Sequence, residues 1–141
     1  MLKKGKYLVS SAEEMVQLGR DFATDLEGHE ILAFFGDLGS GKTTFLKGMI
    51  SRLASCLPDE ITSPTFTYLH IYEGRRPIYH FDLFRLTASE QFLGAGFGDY
   101  LRGDGICLIE WAEKMEDHLP HEALHLVFEY QGPTSRTVTI S

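Results

Sequence analysis

The stretch Ile31 to Ile50, I-L-A-F-F-G-D-L-G-S-G-K-T-T-F-L-K-G-M-I, constrains the fold of this chain more than any other. Gly36 is followed by four residues and then Gly41-Lys42-Thr43, which completes the phosphate-binding pattern G-x-x-x-x-G-K-[ST]. Upstream, Ile31 to Phe35 is an unbroken apolar run of the kind that forms a buried parallel strand. Downstream, Phe45, Leu46, Met49, Ile50 and Leu53 recur at helical spacing. Strand, glycine loop and helix in that order predict a nucleotide phosphate site rather than a glycine-rich turn.

The chemistry follows from the residue types. Glycines at positions 36, 39 and 41 let the backbone turn tightly and approach a ligand. The N–H groups of Gly36, Asp37, Leu38, Gly39, Ser40 and Gly41 then form a nest for phosphate oxygens. The helix that begins near Lys42 adds its free N-terminal N–H groups and the positive end of its dipole. Lys42 is expected to reach the β- and γ-phosphates, and Thr43 to place its hydroxyl on Mg²⁺. Thr44 is either a donor to the α-phosphate or an ordinary first-turn residue.

With 141 residues, the chain suits one domain spanning 1–141 with a real core. No apolar stretch is long enough to span a membrane, and the start M-L-K-K-G-K-Y-L-V is too short in apolar residues for a secretory signal. Two cysteines, Cys56 and Cys107, do not make a disulfide framework, so a cytoplasmic protein with reduced thiols is expected. The net charge of −7 disfavours a nucleic-acid surface. The short basic clusters Lys3-Lys4-Lys6 and Arg75-Arg76 read as solvated surface.

Taken in order, Lys6 to Val9 suits a short strand. Ser11-Ala12-Glu13-Glu14 matches a capping box before a helix with the stripe Met15, Leu18, Phe22 and Leu26, ending at Gly28. The helix after the glycine loop should stop before Pro58. Phe66 to Tyr72 and Pro77 to Phe81 flank a four-residue loop and read as an antiparallel hairpin. Residues from Ala88 to Arg102 suit one or two short helices. Ile106 to Ile109 is a second buried apolar run, followed by a short helix from Ala112 to Asp117. Leu124, Leu126, Phe128 and Tyr130 alternate along one strand; Arg136, Val138 and Ile140 alternate along another across a Gly132-Pro133 turn. The expectation is an α/β, P-loop NTPase-like three-layer fold, with a mixed, mainly parallel central sheet plus antiparallel hairpins.

A phosphate loop needs a carboxylate to hold Mg²⁺, usually from a neighbouring buried strand. Glu110 ends I-C-L-I, and Asp82 ends P-I-Y-H-F. Both are candidates, against the plainer roles of a helix N-terminal acid and a turn carboxylate. His80 would share the strand face of Asp82, either orienting the site or simply packing. His118, His121 and His125 are closely spaced, but Pro120 interrupts any helix between them, so they read as solvated rather than as zinc ligands.

Three absences narrow the class. The chain has no asparagine and so no N-K-x-D guanine reader, no arginine-rich lid of a small-molecule kinase, and too few residues for a motor ATPase. A minimal ATPase remains. The blocks G-D-L-G-S-G-K-T-T-F, S-P-T-F-T, H-F-D-L-F-R-L and L-I-E-W, in that order, resemble the bacterial TsaE (YjeE) family. These are small ATPases required for making the threonylcarbamoyl group on adenosine of tRNA. The resemblance implies ATP and Mg²⁺ at Lys42 and Thr43, Glu110 as metal carboxylate, and Asp82 as a second acid important for activity. It implies a switch-like segment from Ser63 through Thr65 to Thr67, and an adenine region near Ser11 and Arg136. It also implies the paired TsaB and TsaD subunits as partners, with tRNA contacted mainly through them. Phe84 stands where the family usually has tyrosine, so a hydroxyl contact is lost. Two other readings stay open: a nucleotide-gated assembly factor with incidental hydrolysis, and a small-molecule kinase.

Overall fold

The computed structural model describes residues 4–26 and 31–141. The expected helix stop at Gly28, and Lys3 of the basic cluster, lie outside the described residues. The chain runs through β1 (Gly5–Val9), α1 (Ala12–Thr24), β2 (Ile31–Phe35), α2 (Lys42–Leu53), β3 (Leu69–Tyr72) and β4 (Ile78–Asp82). It continues through α3 (Glu90–Gly94), α4 (Gly98–Leu101), β5 (Ile106–Glu110), β6 (Leu124–Tyr130) and β7 (Arg136–Ile140). Short 3-10 segments cover Pro58–Glu60 and Ala112–His118.

Among the described residues the sheet has seven strands in the order β1-β7-β6-β2-β5-β4-β3. β6, β2, β5 and β4 form a parallel block. β7 and β3 run antiparallel to its two margins, and β1 pairs antiparallel with β7. This is the mixed α/β sheet expected of a P-loop-like fold.

Alternation along the central strands divides the core. Leu32 and Phe34 of β2, with Leu108 of β5 and Leu126 of β6, face α1 and α2. Ile31 and Ala33, with Phe81, Cys107 and Ile109, face α3, α4 and the 3-10 segment after β5. The helices therefore cover both faces, which is why β2 and β5 read as unbroken apolar runs. Phe45 sits at the centre of the first core, within 5.9 Å of the rings of Phe22 and Phe34 and 5.4 Å of Phe128. α1 and α2 meet almost backbone to backbone: a Cβ on Gly19 would lie 2.1 Å from the Phe45 carbonyl oxygen, and one on Gly48 would lie 2.0 Å from that of Val16. Among the described residues, no helix is long and apolar enough to cross a membrane.

Local expectations are refined in four places. Ser11 caps α1 by accepting from the Glu14 N–H, but the Glu14 carboxylate takes the N–H of Ser10 rather than that of Ser11. The helix ends at Thr24, and Leu26 packs against the core beyond it. The first hairpin arm starts at Leu69, not Phe66, because Tyr68 adopts a left-handed conformation (φ +66°) with its N–H closing a turn onto Pro64. Residues 112–118 form 3-10 turns with a break at Met115 rather than one helix.

Candidate nucleotide site

The site is built at the C-terminal edge of the parallel block, where open α/β sheets bind ligands. β2 delivers the glycine loop, and α2 begins at Lys42 directly behind it. Gly41 precedes the helix with φ +109°, which a side chain would strain. The loop tip, Asp37 to Gly39, is exposed, whereas Ser40 and Lys42 are buried. Tyr130, at the end of β6, donates its hydroxyl to the Leu38 carbonyl at 2.5 Å and so braces the tip.

Lys42 folds back over the loop. Its Nζ donates to the Gly36 carbonyl at 2.5 Å and lies 3.4 Å from the centre of the Trp111 ring. Trp111 reaches that position because it turns the chain sharply after β5 with a left-handed backbone (φ +58°). Burial pushes the Lys42 ammonium below its ordinary value, opposed by Glu110 and, more weakly, by Glu113, Asp82 and Asp37.

The two candidate carboxylates end adjacent parallel strands in register, Asp82 opposite Glu110. Their surroundings differ. Glu110 Oε1 accepts the Thr43 hydroxyl at 2.9 Å, and its Oε2 lies 2.7 Å from His80 Nε2. Asp82 Oδ2 accepts the hydroxyls of Ser63 at 2.5 Å and Thr65 at 3.2 Å, while Oδ1 accepts the N–H of Phe84 at 3.0 Å. Thus Asp82 ties the 63–65 segment to the sheet, and Glu110 meets the first residues of the phosphate-loop helix. Phe84 packs against Trp111 at 5.0 Å, ring to ring.

One cleft of about 350 Å³ is bounded by Leu38, Gly39 and the run from Gly41 to Thr44 on one side and by Ser63, Thr65, Asp82, Glu110 and Trp111 on the other. A second cleft of about 220 Å³ shares Gly39, Gly41 and Thr44 and is lined by Ser11, Met15 and Arg136. Of the predicted phosphate and adenine residues, Leu38, Gly39, Gly41 to Thr44, Ser63, Thr65, Ser11 and Arg136 line these two adjoining hollows, whereas Gly36, Asp37 and Ser40 line neither. Arg136 stacks its guanidinium 4.3 Å above the Tyr130 ring and donates to the Gly39 carbonyl at 3.4 Å.

Thr43 and Glu110 present two hard oxygens together beside a buried lysine, a donor set that fits Mg²⁺ better than a soft metal. The histidine triplet makes no such group: among the described residues, no cluster of three His, Cys, Asp or Glu could hold a metal ion. Nor are all three solvated as expected: His121 is exposed, but the Nε2 of His118 is buried without a hydrogen-bond partner among the described residues, and His125 stacks on Phe35 at 5.3 Å. Sequence reasoning did not find the contacts of Trp111 with Lys42 or of Tyr130 with Leu38. Tyr130 continues the alternation of Leu124, Leu126 and Phe128 but lies at the end of β6, where it is 49% exposed.

The family model for "Threonylcarbamoyl adenosine biosynthesis protein TsaE" matches residues 9–138. The chain belongs to the TsaE family. A protein named tRNA threonylcarbamoyladenosine biosynthesis protein TsaE from Bacillus subtilis is 35% identical, covering 99% of this chain and 87% of that protein. One of the same name from Treponema pallidum is 34% identical, covering 93% and 96%. The crystal structure of YdiB from Bacillus subtilis superposes with a TM-score of 0.77 at 34% identity, covering 99% of this chain and 86% of that one. The TsaE match spans the glycine loop, the Asp82 and Glu110 strand ends and Arg136, so one family covers both clefts.

Proposed function

We propose that this chain is a Mg²⁺-dependent ATPase of the cytoplasm that acts with the paired TsaB and TsaD subunits in threonylcarbamoyl modification of adenosine in tRNA. The observation that carries this reading is the convergence of Lys42, Thr43 and Glu110 on one cleft beside the glycine loop. The names of the relatives support the pathway.

The residues divide the labour as follows. Loop N–H groups and the start of α2 cradle the phosphates. Lys42 leaves the Gly36 carbonyl and the Trp111 ring to meet the β- and γ-phosphate oxygens. Thr43 and Glu110 would hold Mg²⁺, which would supply positive charge to neutralise the nucleotide phosphates. Asp82 orders Ser63 and Thr65 at the γ-phosphate end. Ser11 and Arg136 flank the base.

The mouth of the cleft supports a partner-dependent cycle. Leu38, Phe66 and Phe84 are 75%, 78% and 47% exposed, and the Arg85 guanidinium lies 4.8 Å above the Phe66 ring. Exposed aromatic and aliphatic groups with an arginine suit a protein interface. The acidic balance suits leaving most tRNA contact to the partners. The test is ATP hydrolysis measured alone and then with the TsaB–TsaD complex and tRNA. Hydrolysis that is slow alone and raised by the complex supports the reading. Repeated modification without ATP hydrolysis would favour an assembly factor, and phosphate transferred to a metabolite would favour a kinase.

A further inference from the structure

His80 lies in the middle of β4, fully buried, with a carboxylate for its partner. Its Nε2 stands 2.7 Å from Glu110 Oε2, the oxygen that Thr43 does not hold. Its Nδ1 has no hydrogen-bond partner among the described residues. The register explains the meeting. His80 pairs with Leu108 and Asp82 with Glu110, so His80 and Glu110 are diagonal neighbours on the face that looks toward α2.

The proton between them can be assigned. A carboxylate oxygen only accepts, so Nε2 carries the hydrogen and donates it. The Nε2–H tautomer satisfies the contact with Oε2 and leaves Nδ1 a buried nitrogen without a hydrogen-bond partner among the described residues.

We propose that His80 is a positioning residue for the metal carboxylate. It holds Oε2 of Glu110 so that Oε1 faces Thr43 and the phosphate cleft. This inference rests on the reading of Thr43 and Glu110 as the magnesium ligands. Without the imidazole donor, Oε2 is a buried oxygen with no partner, and the carboxylate gains by turning away from Thr43. That change weakens a magnesium site and leaves the phosphate nest intact. Partners placed behind a metal ligand typically change metal affinity by about 10–100-fold. A histidine that only filled space would instead move stability and every ligand affinity together.

The experiment titrates magnesium into the full chain saturated with ADP, read by Trp111 fluorescence, with ADP affinity in EDTA measured in parallel. His80→Leu is expected to raise the magnesium half-saturation point about tenfold or more, with metal-free ADP affinity nearly unchanged. His80→Gln, whose side-chain amide can donate from a similar reach, should recover most of the loss. His80→Asn is too short to reach Oε2 and should not. If His80→Leu fails to fold, the Gln and Asn variants carry the comparison, since both are polar. Wild-type magnesium dependence in His80→Asn, no advantage of Gln over Asn, or a parallel loss of metal-free ADP affinity would each overturn the proposal. The wild-type control separates the two readings: ADP binding indifferent to magnesium sinks the metal site itself, whereas a magnesium-dependent wild type with unaffected variants sinks only the role of His80.

Discussion

Thr43 donates its hydroxyl to Glu110 across the edge of the sheet at 2.9 Å, although 67 positions separate them in the chain. One residue opens α2 and the other closes β5, so the parallel pairing of β2 with β5 sets their approach. This pair makes Glu110→Gln an informative variant. The amide keeps the size and can still accept from Thr43, but it loses the charge that attracts Mg²⁺. Hydrolysis should fall by about tenfold or more at limiting Mg²⁺, with metal-free nucleotide affinity changed far less. Calorimetry in EDTA beside a magnesium-dependent rate measurement checks both halves.

Base choice should favour adenine. The chain has no asparagine with which to build the usual guanine reader, and the hollow beside the loop offers Ser11 and Arg136 instead. Competition between ATP and GTP is expected to favour ATP by at least about tenfold, ~1.4 kcal/mol.

The 63–65 segment is predicted to couple the cleft to a partner. Asp82 holds Ser63 and Thr65 by their hydroxyls, and Phe66 follows at the surface. Thr65→Ala should leave ATP affinity close to wild type while lowering the stimulation of hydrolysis by TsaB–TsaD. A group supplied in trans at the γ-phosphate can be worth ~10³–10⁵ in rate, so even partial uncoupling is measurable in single-turnover assays.

Lys42 should contribute to function at the expense of the fold. Burial is the leading influence on its ammonium and holds its pKa below that of a free lysine. The folded pKa therefore lies below the unfolded one, so the wild type gains stability as pH rises from the first toward the second. Lys42→Met is expected to melt no lower than the wild type at neutral pH, with any advantage narrowing on the alkaline side. Thermal melts across that range test the sign.

The strand, loop and helix around Lys42 were legible because each carries a local signal: an apolar run, fixed glycines and a helical stripe. Glu110 was legible for the same reason, as the first charge after a buried run. What escaped depends on register between distant strands. Nothing near His80 in sequence says that Glu110 will be its diagonal neighbour, and nothing near Trp111 announces that its ring will cover Lys42. The late start of β3 was hidden because Phe66 and Tyr68 have the composition of a strand, while the turn is set by the left-handed backbone at Tyr68 and the tether to Asp82. In isolated helices Gly19 and Gly48 would be weak points. Their value appears only when α1 and α2 pack together with no room for a side chain.

The most direct measurement of the central claim is calorimetric titration of Mg²⁺–ATP into the wild-type chain and into Lys42→Ala, with a melting curve confirming that the variant is folded. The account predicts saturable binding by the wild type and a loss of about tenfold or more in the folded variant, ~1.4 kcal/mol or greater. Equal affinity in the two proteins, together with equal turnover, would contradict it and remove the nucleotide from this cleft.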